Sequence, residues 1–234
     1  MKSIISLTAL TAFSSLPTSA AVTITLPGNS ESSGWNQLKN SNPFWAANSY
    51  PTAHFNASNP WPEPISPNRP GSSGSANFNK SSGGGYFAGG SLYDAGIAGN
   101  FSISDASPIS NLATVVFQID AGTTIGTLPT LSYNGGSQQL APHFTLTTNG
   151  SYPTFNFTTG QSFPSQNRAW QWDLTGLGVA SYEINWGSTA NNHLTQYEIN
   201  LTTGDTFVQA IPEPSATLAA LLGLSLTTIR RRRA

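Results

Sequence analysis

Cysteine does not occur in this chain. A domain without cysteine has no disulfide to stabilise it, so its stability depends on the size of its hydrophobic core. The same absence excludes thiolate nucleophiles and cysteine-based metal sites. Any chemistry that the chain performs must therefore come from other side chains.

Charge is also scarce, since charged residues make up 8% of the chain. Residues 22–210 carry four basic and nine acidic side chains, which gives this part a net charge of −5. The value of −1 for the whole chain reflects four arginines at its end. A weakly acidic body lacks the basic surface that neutralises phosphates, so nucleic-acid binding is not expected.

Signatures of catalysis are missing as well. The three histidines, His54, His143 and His193, do not pair at ligand spacing, and neither His-Glu-x-x-His nor Gly-x-Ser-x-Gly occurs. The acidic residues are scattered singly, whereas calcium loops cluster them. The sequence therefore predicts no catalytic residue, no metal site and no cofactor, and we interpret the protein as a non-enzyme.

An enzyme acting on polysaccharide is the third alternative. A glycoside hydrolase needs two facing carboxylates about 5–9 Å apart. Asp173 and Glu183 fall on successive predicted strands, each flanked by aromatic residues that point the other way. We expect this pair to lie on a solvated face instead of in a cleft.

Short stretches with strand character follow one another from about residue 86, with no helical pattern between them. They are Asn100–Ser104, Leu112–Asp120, Leu128–Tyr133, His143–Thr148, Tyr152–Thr158, Ala169–Leu174, Tyr182–Trp186, Tyr197–Leu201 and Thr206–Gln209. Asn134-Gly135-Gly136 predicts a tight turn, and Asn149-Gly150 predicts a hairpin. This pattern predicts an all-β fold, an antiparallel β-sandwich of jelly-roll type.

Residues 22–85 have a different character. One strand is predicted at Val22–Leu26 because β-branched residues alternate there. Repeated proline and glycine then argue against helices and central strands as far as Gly85. The aromatic residues of this stretch favour an irregular cover draped over the domain, and complete disorder is the alternative.

Six tryptophans in a charge-poor chain raise the possibility of carbohydrate binding. Exposed aromatic rings stack on the C–H faces of sugars, while amides and hydroxyls bind the sugar hydroxyls. Trp170, Trp172 and Trp186 alternate with aliphatic residues in a core pattern. Trp35, Trp45 and Trp61 lie in irregular chain and are the candidates for a ligand platform, with packing onto the sandwich as the alternative.

The N-terminus has the pattern of a signal peptide. Met1-Lys2 supplies a positive start, Ile4–Leu16 is mostly apolar, and small residues follow. The sequence predicts a signal helix with cleavage after Ala20 or Ala21. The mature chain would then begin near residue 22.

The C-terminus combines a short turn motif, an apolar run and a basic end. The residues concerned are Pro212, Glu213 and Pro214, then Ala216–Ile229, then Arg230, Arg231, Arg232 and Arg233. As a helix, this run of 14 residues would span about 21 Å, which is short of the about 30 Å of a bilayer core. The arginines resist translocation and would keep this end on the cytoplasmic side.

This tail resembles a PEP-CTERM sorting signal, the bacterial C-terminal domain that the membrane enzyme exosortase processes. The resemblance implies export, transient anchoring by a hydrophobic helix, cleavage near the motif and association with exopolysaccharide producers. The body also resembles exported β-sandwich members of that group, in Leu131–Gly136, Trp172–Thr175 and Tyr197–Phe207. This second resemblance implies fold alone.

Together these features divide the chain into four parts: a signal peptide (1–21), a strand with an irregular segment (22–85), a β-sandwich body (86–210) and a sorting and anchor tail (211–234). We expect an exported protein of the cell surface or extracellular matrix, with exosortase and the export machinery as partners. Its body would be structural or adhesive. The alternative is a carbohydrate-binding module that contacts exopolysaccharide.

Overall fold

The protein is an all-β structure of antiparallel strands, as the sequence predicts. The computed structural model describes residues 24–36, 60–61, 63–88, 91–93, 97–122, 125–156, 160–189 and 195–211. Within these ranges no helix occurs, and hence none with the length and apolarity needed to cross a membrane. The predicted signal helix and C-terminal hydrophobic helix lie outside the described residues.

The described residues form eleven strands. In chain order they are β1 (Ser30–Trp35), β2 (Asn77–Gly83), β3 (Tyr86–Ala88), β4 (Ser91–Tyr93), β5 (Gly99–Asp105), β6 (Thr114–Ala121), β7 (Ile125–Tyr133), β8 (Phe144–Asn156), β9 (Gln161–Asp173), β10 (Tyr182–Ser188) and β11 (Thr195–Gly204).

These strands are arranged in two sheets. Sheet A has the order β3-β4-β11-β6-β9-β8, and β1 pairs with residues 199–204 of β11, beyond the short pairing of β4. Sheet B has the order β2-β5-β10-β7. Strands from the beginning and the end of the body are neighbours in both sheets, so neither sheet forms from one continuous part of the chain.

Strand β6 lies in the middle of sheet A, and each of its eight residues is buried. Its continuous run of Val115, Val116 and Phe117 is typical of a strand that is covered on both faces. Val115 lies opposite Trp172 of β9, and Phe117 lies opposite Trp170. The core positions predicted for both tryptophans are therefore confirmed.

An aromatic column joins the inner faces of the two sheets. It consists of Trp61, Phe78, Trp186, Phe117 and Trp170, with ring centroids of successive members 5.0, 5.7, 4.9 and 5.6 Å apart. The contact of 4.9 Å crosses from Trp186 in sheet B to Phe117 in sheet A. The two inner faces share one hydrophobic cluster, so the sheets pack in a sandwich-like arrangement.

The predicted turn at Asn134-Gly135-Gly136 is confirmed. Asn134 and Gly135 have φ angles of 52° and 66°, in the left-handed region that asparagine and glycine tolerate. The Asn134 side chain also donates to the carbonyl of Gly178 and accepts from the N–H of Ala180. The turn thereby fixes the loop that leads into β10.

The hairpin predicted at Asn149-Gly150 is wrong. Strand β8 runs through both residues, and a register shift against β9 lies between Asn149 and Pro153. A methyl group at Gly150 would lie 2.2 Å from Ser165 Oγ and 2.5 Å from the Asp120 carboxylate. The glycine therefore allows close packing inside a strand. From sequence alone, a glycine with this role looks the same as a glycine in a turn.

Other strand boundaries also differ from the prediction. The described part of Val22–Leu26, residues 24–26, belongs to no strand, and neither does Thr206–Gln209. In contrast, β1 and β2 lie within the stretch predicted to be irregular, where they pair with β11 and β5. Because these strands are rich in Ser, Asn and Gly, their sequences show no clear alternation, although Trp35, Phe78 and Lys80 point inward.

Residues 206–211 cross the outer face of sheet A without forming a strand. The fully buried Gln171 of β9 binds them through its side chain: its Nε2 donates to the carbonyl of Val208, and its Oε1 accepts from the N–H groups of Ala210 and Ile211. Ile211 packs with Val116 and Ala169, and Ile24 packs against the same cluster. Both ends of the described body therefore meet on one face.

We predict that Gln171→Ala lowers the free energy of unfolding by about 2–4 kcal/mol, because buried backbone groups lose their partners. Urea denaturation would measure the loss, and limited proteolysis would show faster cleavage within residues 206–211. The control is Gln161→Ala at an exposed position of the same strand, with an expected change within about 0.5 kcal/mol. Equal stabilities of the two variants would contradict the role given to Gln171.

Candidate binding groove on the outer face of sheet A

Beside the apolar cluster of Val116 and Ala169, the outer face of sheet A carries polar side chains that are buried. Gln118 and Asp120 of β6, Asn167 of β9, and Glu198 and Asn200 of β11 are each less than a tenth exposed. Outward side chains of a sheet are usually solvated. Here the distal part of β8 and the segment around Arg69 contact this face, so its polar groups depend on one another for partners.

Glu198 is the centre of this polar face. Its Oε2 accepts a hydrogen bond of 3.1 Å from the hydroxyl of Tyr152, and its Oε1 accepts one of 3.0 Å from Asn200 Nδ2. Arg69 forms an ion pair with the same carboxylate at 3.7 Å. Three distant parts of the chain, on β8, β11 and the segment before β2, therefore converge on one buried acid.

Gly34 of β1 makes room for Arg69. A methyl group at Gly34 would lie 2.6 Å from Arg69 Nε. The carbonyl of Gly34 accepts 2.9 Å hydrogen bonds from the N–H groups of both Asn68 and Arg69. The arginine is thus fixed through its backbone, and its side chain crosses β1 where no side chain obstructs it.

Beside this cluster lies a groove of about 250 Å³. One wall is the outer face of the sheet, with Gln118, Asn200 and Thr202. Arg69, the hydroxyl groups of Ser32 and Ser73, and Ile24 complete the lining. Amides, hydroxyls and one guanidinium therefore face a common volume.

Two groups near the groove have raised pKa values. Burial, followed by the charge of Glu198, the hydrogen bond to it and the charge of Asp120, raises the pKa of the Tyr152 phenol. Burial, followed by the charge of Asp105, raises the pKa of the Glu31 carboxyl. Both environments favour the neutral form, because they add no cation that would stabilise the charge.

The Tyr152 ring also stacks on Tyr197. Their centroids are 4.8 Å apart with an interplanar angle of 12°, and the Tyr197 hydroxyl is 3.2 Å from Thr154 Oγ1. Regular alternation in β11 would place Tyr197 on the inner face with Ile199, but a bulge between Gln196 and Glu198 displaces it. Tyr197 thereby becomes part of the outer polar face.

Further cations lie outside the groove. Burial lowers the pKa of Arg168, and the nearby Asp120 partly offsets this shift. The Arg168 guanidinium donates to Gln166 Oε1. Lys80 is fully buried on the inner face of β2, where its Nζ donates to the carbonyl of Gly85 at 2.8 Å. Arg69 is therefore the cation that faces the groove lining described above.

The tryptophans named as a ligand platform are not exposed where the structure describes them. Trp35 is 0% and Trp61 5% exposed, and the indole N–H of Trp35 donates to the carbonyl of Ile65. Both belong to the hydrophobic core, so neither presents a ring face to a sugar. This is the packing alternative that the sequence left open. Trp45 lies outside the described residues.

The structure also describes the carboxylate pair considered for a polysaccharide-active enzyme. Asp173 belongs to sheet A and Glu183 to sheet B, each pointing away from the inner face, so the two carboxylates do not face each other across a cleft. Within the described ranges no three of His, Cys, Asp or Glu are grouped to hold a metal. The signal cleavage residues Ala20 and Ala21, the motif Pro212, Glu213 and Pro214, and Arg230, Arg231, Arg232 and Arg233 lie outside those ranges.

Sequence reasoning missed the groove because its residues are spread from Ile24 to Thr202. A signal is visible in retrospect. Gln118 and Asp120 interrupt the apolar strand β6, and Glu198, Asn200 and Thr202 alternate in β11. Polar residues at every second position of a strand usually mark a solvated face, whereas the structure buries these.

Comparisons with protein-family models, with curated proteins and with solved structures find no match for this chain.

We predict that Glu198→Gln lowers the free energy of unfolding by about 1–3 kcal/mol, because it weakens the bonds to Arg69 and Tyr152. The pKa of Tyr152 should also fall toward its ordinary value, since the charge of Glu198 that helps to raise it disappears while burial persists. Urea denaturation and an absorbance titration of the phenols would measure the two effects.

Two variants make this test specific. Tyr152→Phe in the same background identifies which phenol has shifted, and Glu183→Gln removes an exposed acid of sheet B with an expected change within about 0.5 kcal/mol. An unchanged pKa of Tyr152 in Glu198→Gln would contradict the central role given to Glu198.

Proposed function

We propose that this protein is exported and sorted by its C-terminal tail to the cell surface or extracellular matrix, where its body is a structural or adhesive module and not an enzyme. The observation that carries the proposal is the meeting of both ends of the body on one face. Ile24 and Ile211 pack against the same cluster of Val116 and Ala169 on the outer face of sheet A.

This geometry suits a tethered module. Ile211 directly precedes Pro212, where the proposed sorting motif begins, and Ile24 follows the proposed signal cleavage at Ala20 or Ala21 by a few residues. A body held through the tail is attached at sheet A. The outer face of sheet B, on the opposite side of the sandwich-like body, would then point away from the attachment.

The outer face of sheet B has a composition that fits contact with hydrated polymers. Two rows of outward residues cross the four strands in register. They are Asn77, Ser104, Glu183 and Ser132 in one row, and Asn79, Ser102, Asn185 and Thr130 in the other. With neighbouring strands about 4.8 Å apart, each row forms a ladder of hydrogen-bonding groups. Glu183 is the one charged residue of these two rows.

The strand order supports the finer assignment to a jelly roll. β4 pairs with β11 and β6 with β9 in sheet A, while β5 pairs with β10 in sheet B. From β4 to β6 the partner strand therefore moves back from β11 through β10 to β9, and successive pairs alternate between the two sheets. This nested pairing is typical of the double-sheet jelly roll, an architecture used in lectin domains and capsids.

The tail supplies the sorting part of the proposal. The Pro-Glu-Pro motif would be exposed to exosortase, the apolar run Ala216–Ile229 would anchor the chain in the membrane for a time, and the final arginines would stop its passage. The support for these roles is the order of the three parts in the sequence.

A second candidate function is a carbohydrate-binding module that contacts exopolysaccharide. The groove on sheet A favours it, since amides and hydroxyls of Asn200, Gln118 and Thr202 line one wall. The buried Trp35 and Trp61 do not contribute to this candidate.

We predict that deleting Pro212–Ala234 releases the body into the medium, because both the motif and the anchor are lost. Cell fractionation and the mass of the mature protein would measure the change. The chain contains a second triplet, Pro62-Glu63-Pro64, without an apolar run behind it. Replacing the triplet at 212–214 by alanines should therefore disturb sorting, whereas Glu63→Ala should not. An unchanged location and mature mass after the deletion would refute the sorting role.

For the second candidate we predict saturable heat in a calorimetric titration of the full chain with extracellular polysaccharide purified from the producing cells. Because the tryptophans that the structure describes are buried, we expect little change in tryptophan fluorescence on binding. Absence of heat would leave the structural or adhesive role as the account of the body.

A further inference from the structure

We propose that the groove on the outer face of sheet A binds one neutral saccharide unit of a polymer. This inference deepens the second candidate function, on which it rests, and it names the site and the chemical class of the ligand. The groove differs from the platform that the sequence suggested, because its binding groups are amides and hydroxyls instead of indole rings.

The main argument is an incomplete hydrogen-bond set on the groove wall. Asn200 is 3% exposed, and its Nδ2 donates to Glu198. Its Oδ1 is buried and has no hydrogen-bond partner among the residues that the structure describes. Buried polar atoms are rarely left unpaired, and those that are unpaired require an explanation. A ligand hydroxyl in the groove would donate to this oxygen.

Neighbouring groups extend this acceptor into a site. Gln118 lies opposite Asn200 in the register of β6 and β11, and its carboxamide also lines the groove. Planar side chains with both donors and acceptors suit vicinal hydroxyls, each of which donates and accepts. Thr202 and Ser32, opposite each other on β11 and β1, add hydroxyl groups, and Ile24 adds an apolar contact for ring C–H groups.

The charges around the groove select a neutral ligand. Arg69 is paired with Glu198, so its charge is already compensated. No further cation lies among the lining residues. An anion such as a uronate or phosphate would therefore meet one guanidinium that already pairs with a carboxylate. A neutral sugar carries no such penalty.

The size of the groove limits the ligand to a small unit. A volume of about 250 Å³ is below the range of about 300–1,000 Å³ of pockets for drug-sized ligands. A single pyranose ring is smaller than such ligands. We therefore assign the groove to one residue of a glycan, with neighbouring residues outside it.

The test is ligand-observed saturation-transfer NMR on the full chain, in a zwitterionic detergent because sugar-headed detergents would compete. The probes are D-glucose, D-galactose and D-mannose, with D-glucuronate as the charged comparison. We expect at least one neutral sugar to saturate with a millimolar dissociation constant and glucuronate to bind more weakly. No saturation by any of the three neutral sugars, or tighter binding of glucuronate, would overturn the proposal.

Variants locate the binding. Asn200→Ala should weaken binding of the sugar about tenfold, as expected for the loss of one or two hydrogen bonds. Gln139→Ala, at an exposed amide of the loop before β8, should leave it unchanged. Equal affinities of the two variants would overturn the assignment.

A second pair covers a failure of Asn200→Ala to fold. Thr202→Val removes a hydroxyl from the groove at nearly constant volume, and Thr147→Val does the same at an exposed position of β8 outside the groove. We expect a several-fold loss for Thr202→Val alone, and no loss would count against the groove.

A titration with the polysaccharide distinguishes a failure of the groove assignment from a failure of the proposed carbohydrate binding. Polysaccharide that binds wild type and Asn200→Ala equally would overturn the groove and leave carbohydrate binding in place. Polysaccharide that binds neither would remove the function together with the groove. Binding that the Asn200→Ala variant loses supports both.

Discussion

The contact between Trp186 and Phe117 is the interaction on which the rest of the structure depends. It joins sheet B to sheet A at a centroid distance of 4.9 Å, and Phe78 and Trp170 extend it on either side. Without cysteine, no disulfide joins the two sheets. Large aromatic side chains bury more area than other residues and hold preferred ring geometries. They thereby fix the spacing of the two sheets.

How far the sequence predicts this fold depends on whether a pattern is local. The run Val115–Phe117, the alternating Trp170 and Trp172 and the turn at Asn134-Gly135 have direct local causes, and each is found where expected. Gly150 and Phe78 are different. Their roles depend on contacts with Asp120 and Trp186, which are distant in sequence. Strands rich in Asn, Ser and Gly, such as β2, carry too little hydrophobic pattern to be identified without their partners.

The candidate site was less predictable than the fold for the same reason. A lone acid such as Glu198 on a strand looks solvated, and its sequence neighbours do not reveal Tyr152, Arg69 or Gly34. The bulge that turns Tyr197 outward is a further element that periodicity does not predict. Burial of a sheet's outer face is decided by the segments that cross it, and these come from three separate parts of the chain. The sorting role of the tail, in contrast, can be proposed from sequence because the three parts of the motif are contiguous.

The clustering of Ile24 and Ile211 on one face has a consequence for how this body combines with other sequences. A domain whose ends are adjacent can be inserted into a surface loop of another protein without distorting either partner. It can also be circularly permuted, with a short linker joining the old ends and new ends opened in an exposed turn such as Asn134-Gly135. This arrangement of the ends therefore permits both insertion and permutation of the body while its two sheets stay unchanged.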